Sequence, residues 1–359
     1  MKVAFRVDAS AQMGIGHLMR CLTLAGALCE RGAQIRFICR EHRGNLVFLL
    51  HQNGVPVTIL PAPKKISETH SENYAVWLGV TQADDADETI TALNGEKPDW
   101  LVVDHYGLDV EWEHRLRPHT QKIMVIDDLA NRHHDCDVLL DQNYSTENEY
   151  RYAGLVSKVC NLLVGPKYAL LRPEYLVFRK LHRVRDGSVK RVLVFFGGSD
   201  PQNITGMALD ALSHPDLLHL EVDVVIGANN PHRKSIEQQI IDRPLVNIYP
   251  PRPHLADLMM KADLALGSGG TTTSERLCMG VPSLVIGIAK NQIPSCNSLH
   301  SSGLINYLGY KAEVDADQLT KEIIRMITSP KLLMEASLAG QALVDGSGID
   351  IINNILGNK

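Results

Sequence analysis

Short apolar runs, most followed by a stretch of helical periodicity, recur along this chain in two series, and that alternation limits the fold more than any other feature. Residues 2–7, 34–39, 57–60, 100–104, 122–127 and 138–141 form the first series, and 191–196, 220–226, 246–249, 263–266 and 282–286 the second. Strands separated by helices cannot pair as tight hairpins. Each returns through a crossover, which produces a parallel sheet with helices on both faces. The expected fold class is therefore α/β, with two doubly wound, Rossmann-like domains facing across a cleft. A length of 359 residues is also more than one core accommodates. Between the two series, residues 150–190 carry Gly154, Gly165-Pro166, Arg172-Pro173 and the polar run from Arg183 to Ser188, a linker composition. The expected division is an N-terminal domain over 1–165, a linker over 166–190 and a C-terminal domain over 191–359.

Charge and cysteine usage narrow the partner. The net charge is -5 and no block of arginine or lysine stands out, which argues against a nucleic-acid groove or an anionic membrane surface and for a small molecule. Seven scattered cysteines contain no C-x-x-C pair, so neither a disulfide framework nor a zinc knuckle is expected. The chain enters a strand at once without a charged n-region, and no later apolar run reaches membrane-spanning length. A cytoplasmic location is expected. Oligomeric partners are not legible.

Three strand-to-helix junctions concentrate the chemistry. In the first, Gly14-Ile15-Gly16-His17 joins the opening strand to a helix whose apolar face is Leu18, Cys21, Leu22, Ala25 and Leu28. Glycine lets the backbone turn tightly, and the free amides of a helix start attract an anion or a developing negative charge. His17 stands where such a charge would sit; a capping or solvated histidine fits the same pattern. The second junction, Gly197-Gly198-Ser199-Asp200-Pro201, suits a phosphate, and Asp200 as N-cap with Pro201 in the first helical position also accounts for it. The third is the richest: Ser268-Gly269-Gly270-Thr271-Thr-Thr-Ser-Glu275 packs glycines and hydroxyls into one loop, and places Glu275 in the first turns of the next helix. A carboxylate there can accept two hydrogen bonds from the vicinal hydroxyls of a ribose. Asn291 and Gln292 open a further helix with amides toward the same region, where they read equally as helix caps.

Taken together, these motifs resemble nucleotide-sugar enzymes of the GT-B architecture. More narrowly, Arg6-Val-Asp-Ala-Ser, Gly14-Ile-Gly-His17-Leu-Met-Arg-Cys21-Leu, Asp104-His-Tyr106, Asp127-Asp128, Gly165-Pro-Lys-Tyr168-Ala-Leu-Leu-Arg172-Pro-Glu and Gly197-Gly-Ser-Asp200 resemble the UDP-2,4-diacetamido-2,4,6-trideoxy-β-L-altropyranose hydrolase family of pseudaminic acid biosynthesis. The likeness runs from residue 3 to about 300; Ala9 departs from it, standing where the family is expected to carry serine. The resemblance implies hydrolysis of the anomeric C–O bond of a UDP-linked diacetamido-trideoxyhexose to UDP and free sugar, without metal or cofactor. It implies His17 as general base. The substrate-binding set would be Gly14, Gly16, Tyr106, Arg172, Gly198, Ser199, Ser268, Gly269, Gly270, Thr271, Glu275, Asn291 and Gln292, with UDP held mainly by the second domain. UDP is a good leaving group, so donors around Ser268 to Thr271 suffice to carry its charge and only the water needs a base.

Alternatives share the nucleotide loops: a GT-B glycosyltransferase, a hydrolysing epimerase, or a sugar-nucleotide sensor without turnover. Asp104 reads equally as a loop-orienting residue or a cap, and Asp127-Asp128 as supporting the site. Asp135-Cys136-Asp137 spells the D-x-D of metal-dependent transferases, but beside His133-His134 it lacks a convincing ligand spacing and reads as a solvated loop. His105, His114, His119 and His254 are expected in the core or on the surface.

Overall fold

The computed structural model describes residues 1–10, 13–63, 74–181 and 183–357. It divides into two compact units. Unit 1 comprises residues 1–143, 147–170 and 347–359, and unit 2 residues 144–146 and 171–346.

Unit 1 is built on seven parallel strands: β1 (Lys2–Val7), β2 (Gln34–Arg40), β3 (Val57–Leu60), β4 (Trp100–Asp104), β5 (Lys122–Ile126), β6 (Val138–Asp141) and β7 (Asn161–Val164), in the order β3-β2-β1-β4-β5-β6-β7. Phe5, Phe37, Val102 and Met124 belong to one core cluster and Ile38, Leu101, Val103 and Ile123 to another, so successive residues of each strand feed opposite faces. Unit 2 carries six parallel strands: β8 (Arg191–Phe195), β9 (Glu221–Val225), β10 (Val246–Tyr249), β11 (Leu264–Ser268), β12 (Ser283–Gly287) and β13 (Asn306–Tyr310), ordered β10-β9-β8-β11-β12-β13. Both sheets reverse direction beside their first strand. In such sheets the crevice for a ligand opens at the carboxyl ends of the two strands flanking the reversal, here β1 with β4 and β8 with β11.

Sequence and structure part company in four places. Strand β7 lies within the expected N-terminal domain, in its stretch of linker composition, and neither it nor β13 is among the expected strands. Most of residues 166–190 belongs to unit 2, where helix Pro173–Lys180 buries Tyr175. The third difference is the C-terminus: helix Gly348–Gly357, assigned by sequence order to the second domain, is part of unit 1, with Ile352 and Leu356 in its core and the Trp100 Nε1–H donating to the Leu356 carbonyl at 2.9 Å. Finally, the helix after β8 begins at Ile204, one residue past the helical stretch read from Asn203, so the alternative with Pro201 in its first turn does not hold. Its N-cap is Asn203, while the buried Asp200 carboxylate accepts the Ile204 and Thr205 amides at 2.8 and 2.9 Å. Among the described residues no helix is long and apolar enough to cross a membrane.

Because the last helix completes the core of unit 1, Ile352→Ala should lower its stability by about 2–5 kcal/mol, the range for truncating a buried isoleucine. Chemical denaturation of wild type and variant measures this. A change below about 0.5 kcal/mol would show that the helix is only loosely docked.

Candidate active site

At the reversal of unit 1, the chain leaves β1 and turns through Ser10 and Gly14, whose amide donates to the Ser10 carbonyl at 2.9 Å; Gly14 has φ +75°, a conformation costly for other residues. Helix Gly16–Glu30 then starts, with Ile15 as an N-cap that offers no side-chain acceptor to the first amides. His17 and Arg20, three residues apart, share one helix face, and both meet Asp104 at the end of β4.

The geometry at Asp104 is tight. His17 Nδ1 lies 2.6 Å from Asp104 Oδ1, while Arg20 donates through Nε to Oδ2 at 2.6 Å and through Nη2 to Oδ1 at 2.7 Å. Burial alone would raise the Asp104 carboxyl, but the Arg20 guanidinium and the His17 ring outweigh it and hold the group well below the usual carboxylate range. An ionised Asp104 accepts from Nδ1–H, which places the lone pair of neutral imidazole on Nε2. Arg20 also reaches Asp128 at 3.2 Å, and the Tyr106 hydroxyl donates to the other oxygen of Asp128 at 2.6 Å. Tyr106 meets His17 edge to face at 4.6 Å and is flanked by the rings of Tyr74 and Trp77. Burial and the Asp128 charge push the Tyr106 phenol upward, so it stays a neutral donor. His17 thus sits in a frame of Asp104, Arg20, Asp128 and Tyr106.

The flanking carboxylates are likewise matched. Asp127 accepts from Arg132 at 2.6 Å and from the Ala130 amide at 2.9 Å. Asp135 and Asp137, read from sequence as a solvated loop, both bind the Arg117 guanidinium, and His134 is buried against Glu113 at 2.7 Å. The solvated-loop reading is corrected in part: His134 and Cys136 are buried, while Asp135 and Asp137 stay partly exposed and are tied down by Arg117. Among the described residues no group of three or more His, Cys, Asp or Glu is placed to hold a metal ion.

In unit 2 the reversal lies between β8 and β11. Gly198 and Ser199 follow β8, with the Gly198 carbonyl accepting the Asn229 amide at 3.0 Å. Since Asp200 occupies the first amides of the next helix, an anion here would use the loop amides instead. After β11, Gly269 and Gly270 lie against Gln292; a side chain at Gly269 would collide with Cys296. Arg276 braces this loop from beneath, donating to the Ser268 carbonyl at 2.8 Å and to the Thr272 and Thr273 hydroxyls at 3.1 and 3.0 Å. Buried with no acid bonded to it, its guanidinium is pushed down to about 10 by desolvation. Glu275 sits in the first turn of helix Thr272–Cys278 and accepts from the Tyr175 hydroxyl. Burial raises Glu275 to about 7 against the Tyr175 bond and the charges of Arg276 and Arg172. Arg172 precedes Pro173, donates to Glu174 at 3.2 Å and has a buried Nε without a partner among the described residues. Gln292 carries its side-chain oxygen to the Ile288 amide at 3.0 Å, and Asn291 is its neighbour in the same 3₁₀ turn.

The expected residues therefore fall into two groups at the two reversals: Gly14, Gly16, His17 and Tyr106 in unit 1, and Gly198, Ser199, Ser268–Thr271, Glu275, Asn291 and Gln292 in unit 2, with Arg172 next to Glu275. Arg20, Asp104 as partner of His17, Tyr175 and Arg276 are not singled out by the sequence as site residues, whereas Asp128 stands in the supporting role expected of it. For Arg20 a signal existed, since an arginine on the same helical face as a site histidine implies a nearby carboxylate.

The fold defines the class. Acinetobacter baumannii MurG superposes with a TM-score of 0.65 at 13% identity, covering 99% of both chains. Arabidopsis thaliana UGT89C1, solved with UDP, gives 0.68 at 14% identity over 99% of each chain, and the UDP-GlcNAc 2-epimerase of Neisseria meningitidis, bound to UDP-GlcNAc, 0.60 at 13% over the whole of both. The architecture is that of GT-B proteins, two Rossmann-like domains in one chain.

No family model matches the chain. Among named proteins it is similar to the spore coat polysaccharide biosynthesis protein SpsG of Bacillus subtilis, 24% identical over 359 residues and spanning 99% of this chain and 98% of that one. It is also similar to the UDP-2,4-diacetamido-2,4,6-trideoxy-β-L-altropyranose hydrolase of Campylobacter jejuni, 26% identical over 305 residues, or 84% of this chain and 97% of the relative. The protein MJ1062 of Methanocaldococcus jannaschii is 26% identical over 294 residues, which is 80% of this chain and 55% of that protein. The resemblance read from the sequence motifs is thus carried along most of the chain.

Replacing Asp104 with asparagine leaves Arg20 buried without its bidentate acceptor. Breaking a buried pair from one side costs about 3–5 kcal/mol. Urea denaturation should show that loss. A variant as stable as wild type would mean that water reaches Arg20 freely.

Proposed function

We propose that this protein is a UDP-sugar hydrolase that releases UDP by water attack at the anomeric carbon, with a UDP-linked 2,4-diacetamido-2,4,6-trideoxyhexose of the altropyranose configuration as substrate. The observation that carries the reading is the 2.6 Å contact between His17 Nδ1 and the ionised Asp104, which orients the ring and presents Nε2 as proton acceptor. The named Campylobacter relative and the UDP-bound GT-B structures support the substrate class.

In this reading the loops Gly198–Ser199 and Ser268–Thr271 hold the diphosphate through amides and hydroxyls, Glu275 accepts the ribose hydroxyls, and Asn291 and Gln292 fix the loop and the phosphates. Arg172 supplies charge beside Glu275, and Tyr106 lines the sugar side with Gly14 and Gly16. His17 takes a proton from water as its oxygen bonds the anomeric carbon; the C–O bond to UDP breaks, and its electrons leave with the diphosphate. Asp104 stabilises the imidazolium so formed. No step requires a metal or cofactor from these residues. Glycosyl transfer or epimerisation on the same framework would need an acceptor or a second proton-transfer group, and the charged residues around His17 are already engaged with one another.

His17→Asn should retain UDP affinity and lose roughly a hundredfold to ten-thousandfold in turnover, the usual effect of removing a general base. Running wild type in oxygen-18 water with mass spectrometry of both products locates the broken bond. Label in the free sugar supports anomeric attack. Label in phosphate, or near wild-type turnover in the variant, overturns it.

Glu275 supplies an independent test. A carboxyl raised to about 7 is mostly protonated at pH 6, whereas ribose hydroxyls donate to its ionised form. UDP binding should therefore release about one proton at pH 6 and progressively less as pH rises through 7 toward 8. Calorimetry in buffers of different ionisation enthalpy measures the count. Glu275→Gln should abolish the release and weaken binding by about tenfold or more. Equal proton release in wild type and variant would remove Glu275 from the ribose.

A further inference from the structure

The carboxyl ends of β4, β5 and β6 form a row of acids whose charges do not balance. Asp104, Asp127, Asp128 and Asp141 supply four carboxyl groups, and their hydrogen-bonded cations are Arg20, Arg132 and Arg151. Asp141, fully buried at the end of β6, accepts from Arg151 at 2.6 Å, from the Tyr152 hydroxyl at 3.1 Å and from the Asn143 amide at 2.9 Å. Arg151 reaches on to the Asp128 carbonyl at 3.1 Å, and Tyr152 also touches Asp127 at 3.2 Å. The row is continuous from Asp141 through Arg151 and Asp128 to Arg20, Asp104 and His17. Among the described residues, three guanidiniums against four carboxyl groups leave room for one proton.

We propose that Asp141 is a positioning residue that leaves this row one positive charge short when it is ionised and thereby sets the pH at which His17 gains its proton. The inference rests on the reading of His17 as general base. The groups facing Asp141 agree with it: burial and the charges of Asp128 and Asp127 raise its carboxyl to about 7 against the opposing Arg151 charge. As Asp141 ionises, an imidazolium at His17 becomes easier to form.

The sign of the effect follows. Asp141→Asn removes the surplus negative charge, so His17 gains its proton at lower pH; Arg151→Gln deepens the shortage, so it does so at higher pH. The readout is the titration of the His17 ring by NMR on the complete, ligand-free protein with labelled histidine, assigned by its disappearance in His17→Gln. The midpoint should fall by about 0.5 pH unit or more in Asp141→Asn and rise by a similar amount in Arg151→Gln, with Asp141→Glu near wild type. The acidic limb of kcat/KM for UDP release should move in the same two directions.

Opposite shifts support the proposal, because loss of packing does not change sign with the charge removed. An unmoved His17 titration in folded variants, or shifts of the same sign in both, overturns it. If one variant fails to fold, the other still reads the direction. Since the ring titration needs no substrate, opposite shifts without any UDP release would uphold the electrostatic role of Asp141 and refute the hydrolase reading instead.

Discussion

A carboxylate removed from water has to be surrounded by donors, and Asp104 shows how much of a site that one requirement determines. Its two oxygens are met by Arg20 and His17, which lie on one face of the first helix and reach it from the neighbouring strand's crossover. The helix must therefore begin within a residue or so of His17, and the turn before it must be sharp, which is why Gly14 adopts a left-handed conformation there. Coulomb attraction in the buried site holds the imidazole in one orientation. Solvent would not, since an exposed pair is worth about 1 kcal/mol or less.

The same requirement recurs one strand away, with a different outcome. Arg6 on β1 is wholly buried and bonds Asp8 at 2.6 and 2.9 Å and Asp85 at 2.6 and 3.0 Å, while Arg40 joins Asp85 at 2.6 Å. His105 accepts the Gly107 amide at Nδ1, 2.9 Å, and desolvation pushes its ring down to about 3, so it stays neutral. This network ties β1, β2 and the helix Gln82–Leu93 together but leaves its histidine without a proton-transfer role. A buried ion pair of this kind contributes little net stability over an apolar replacement, whereas losing one partner is severe. Its effect is to fix register and orientation at the strand ends where the His17 site is assembled.

How far the sequence was legible follows from where information is local. Strands buried on both faces appear as apolar runs, and glycine-rich junctions mark themselves, so the two parallel sheets and the loops that carry the site residues could be read. Strand β7 was obscured because Asn161 to Val164 is short and sits among turn residues; β13, Asn306 to Tyr310, because only Tyr307, Leu308 and Tyr310 are bulky and apolar and glycine interrupts it. The last helix could not be allocated by order along the chain: its amphipathic face, Ile352 and Leu356, says that it packs but not against what. Asp104 and Arg20 are 84 residues apart, and no periodicity links them. Pairings of that kind are decided by topology, which brings β4 beside β1.

The two reversals differ in the chemistry they offer, and the difference bears on mechanism. That of unit 1 is crowded with titratable groups, each committed to a partner, and contains the histidine. The loops at that of unit 2 offer backbone amides, hydroxyls and side-chain amides, with Arg276 buried beneath as fixed charge and Glu275 the acid at the helix start. Neutral donors suit a diphosphate whose charge grows as a bond breaks, because they need no proton transfer and little reorganisation. A titratable frame suits the step at which water must lose a proton. Hydrolysis of an activated glycosyl diphosphate needs one of each and no more, since the leaving group requires no acid of its own. On the hydrolase reading proposed above, a single histidine held by Asp104 is chemically sufficient as the base.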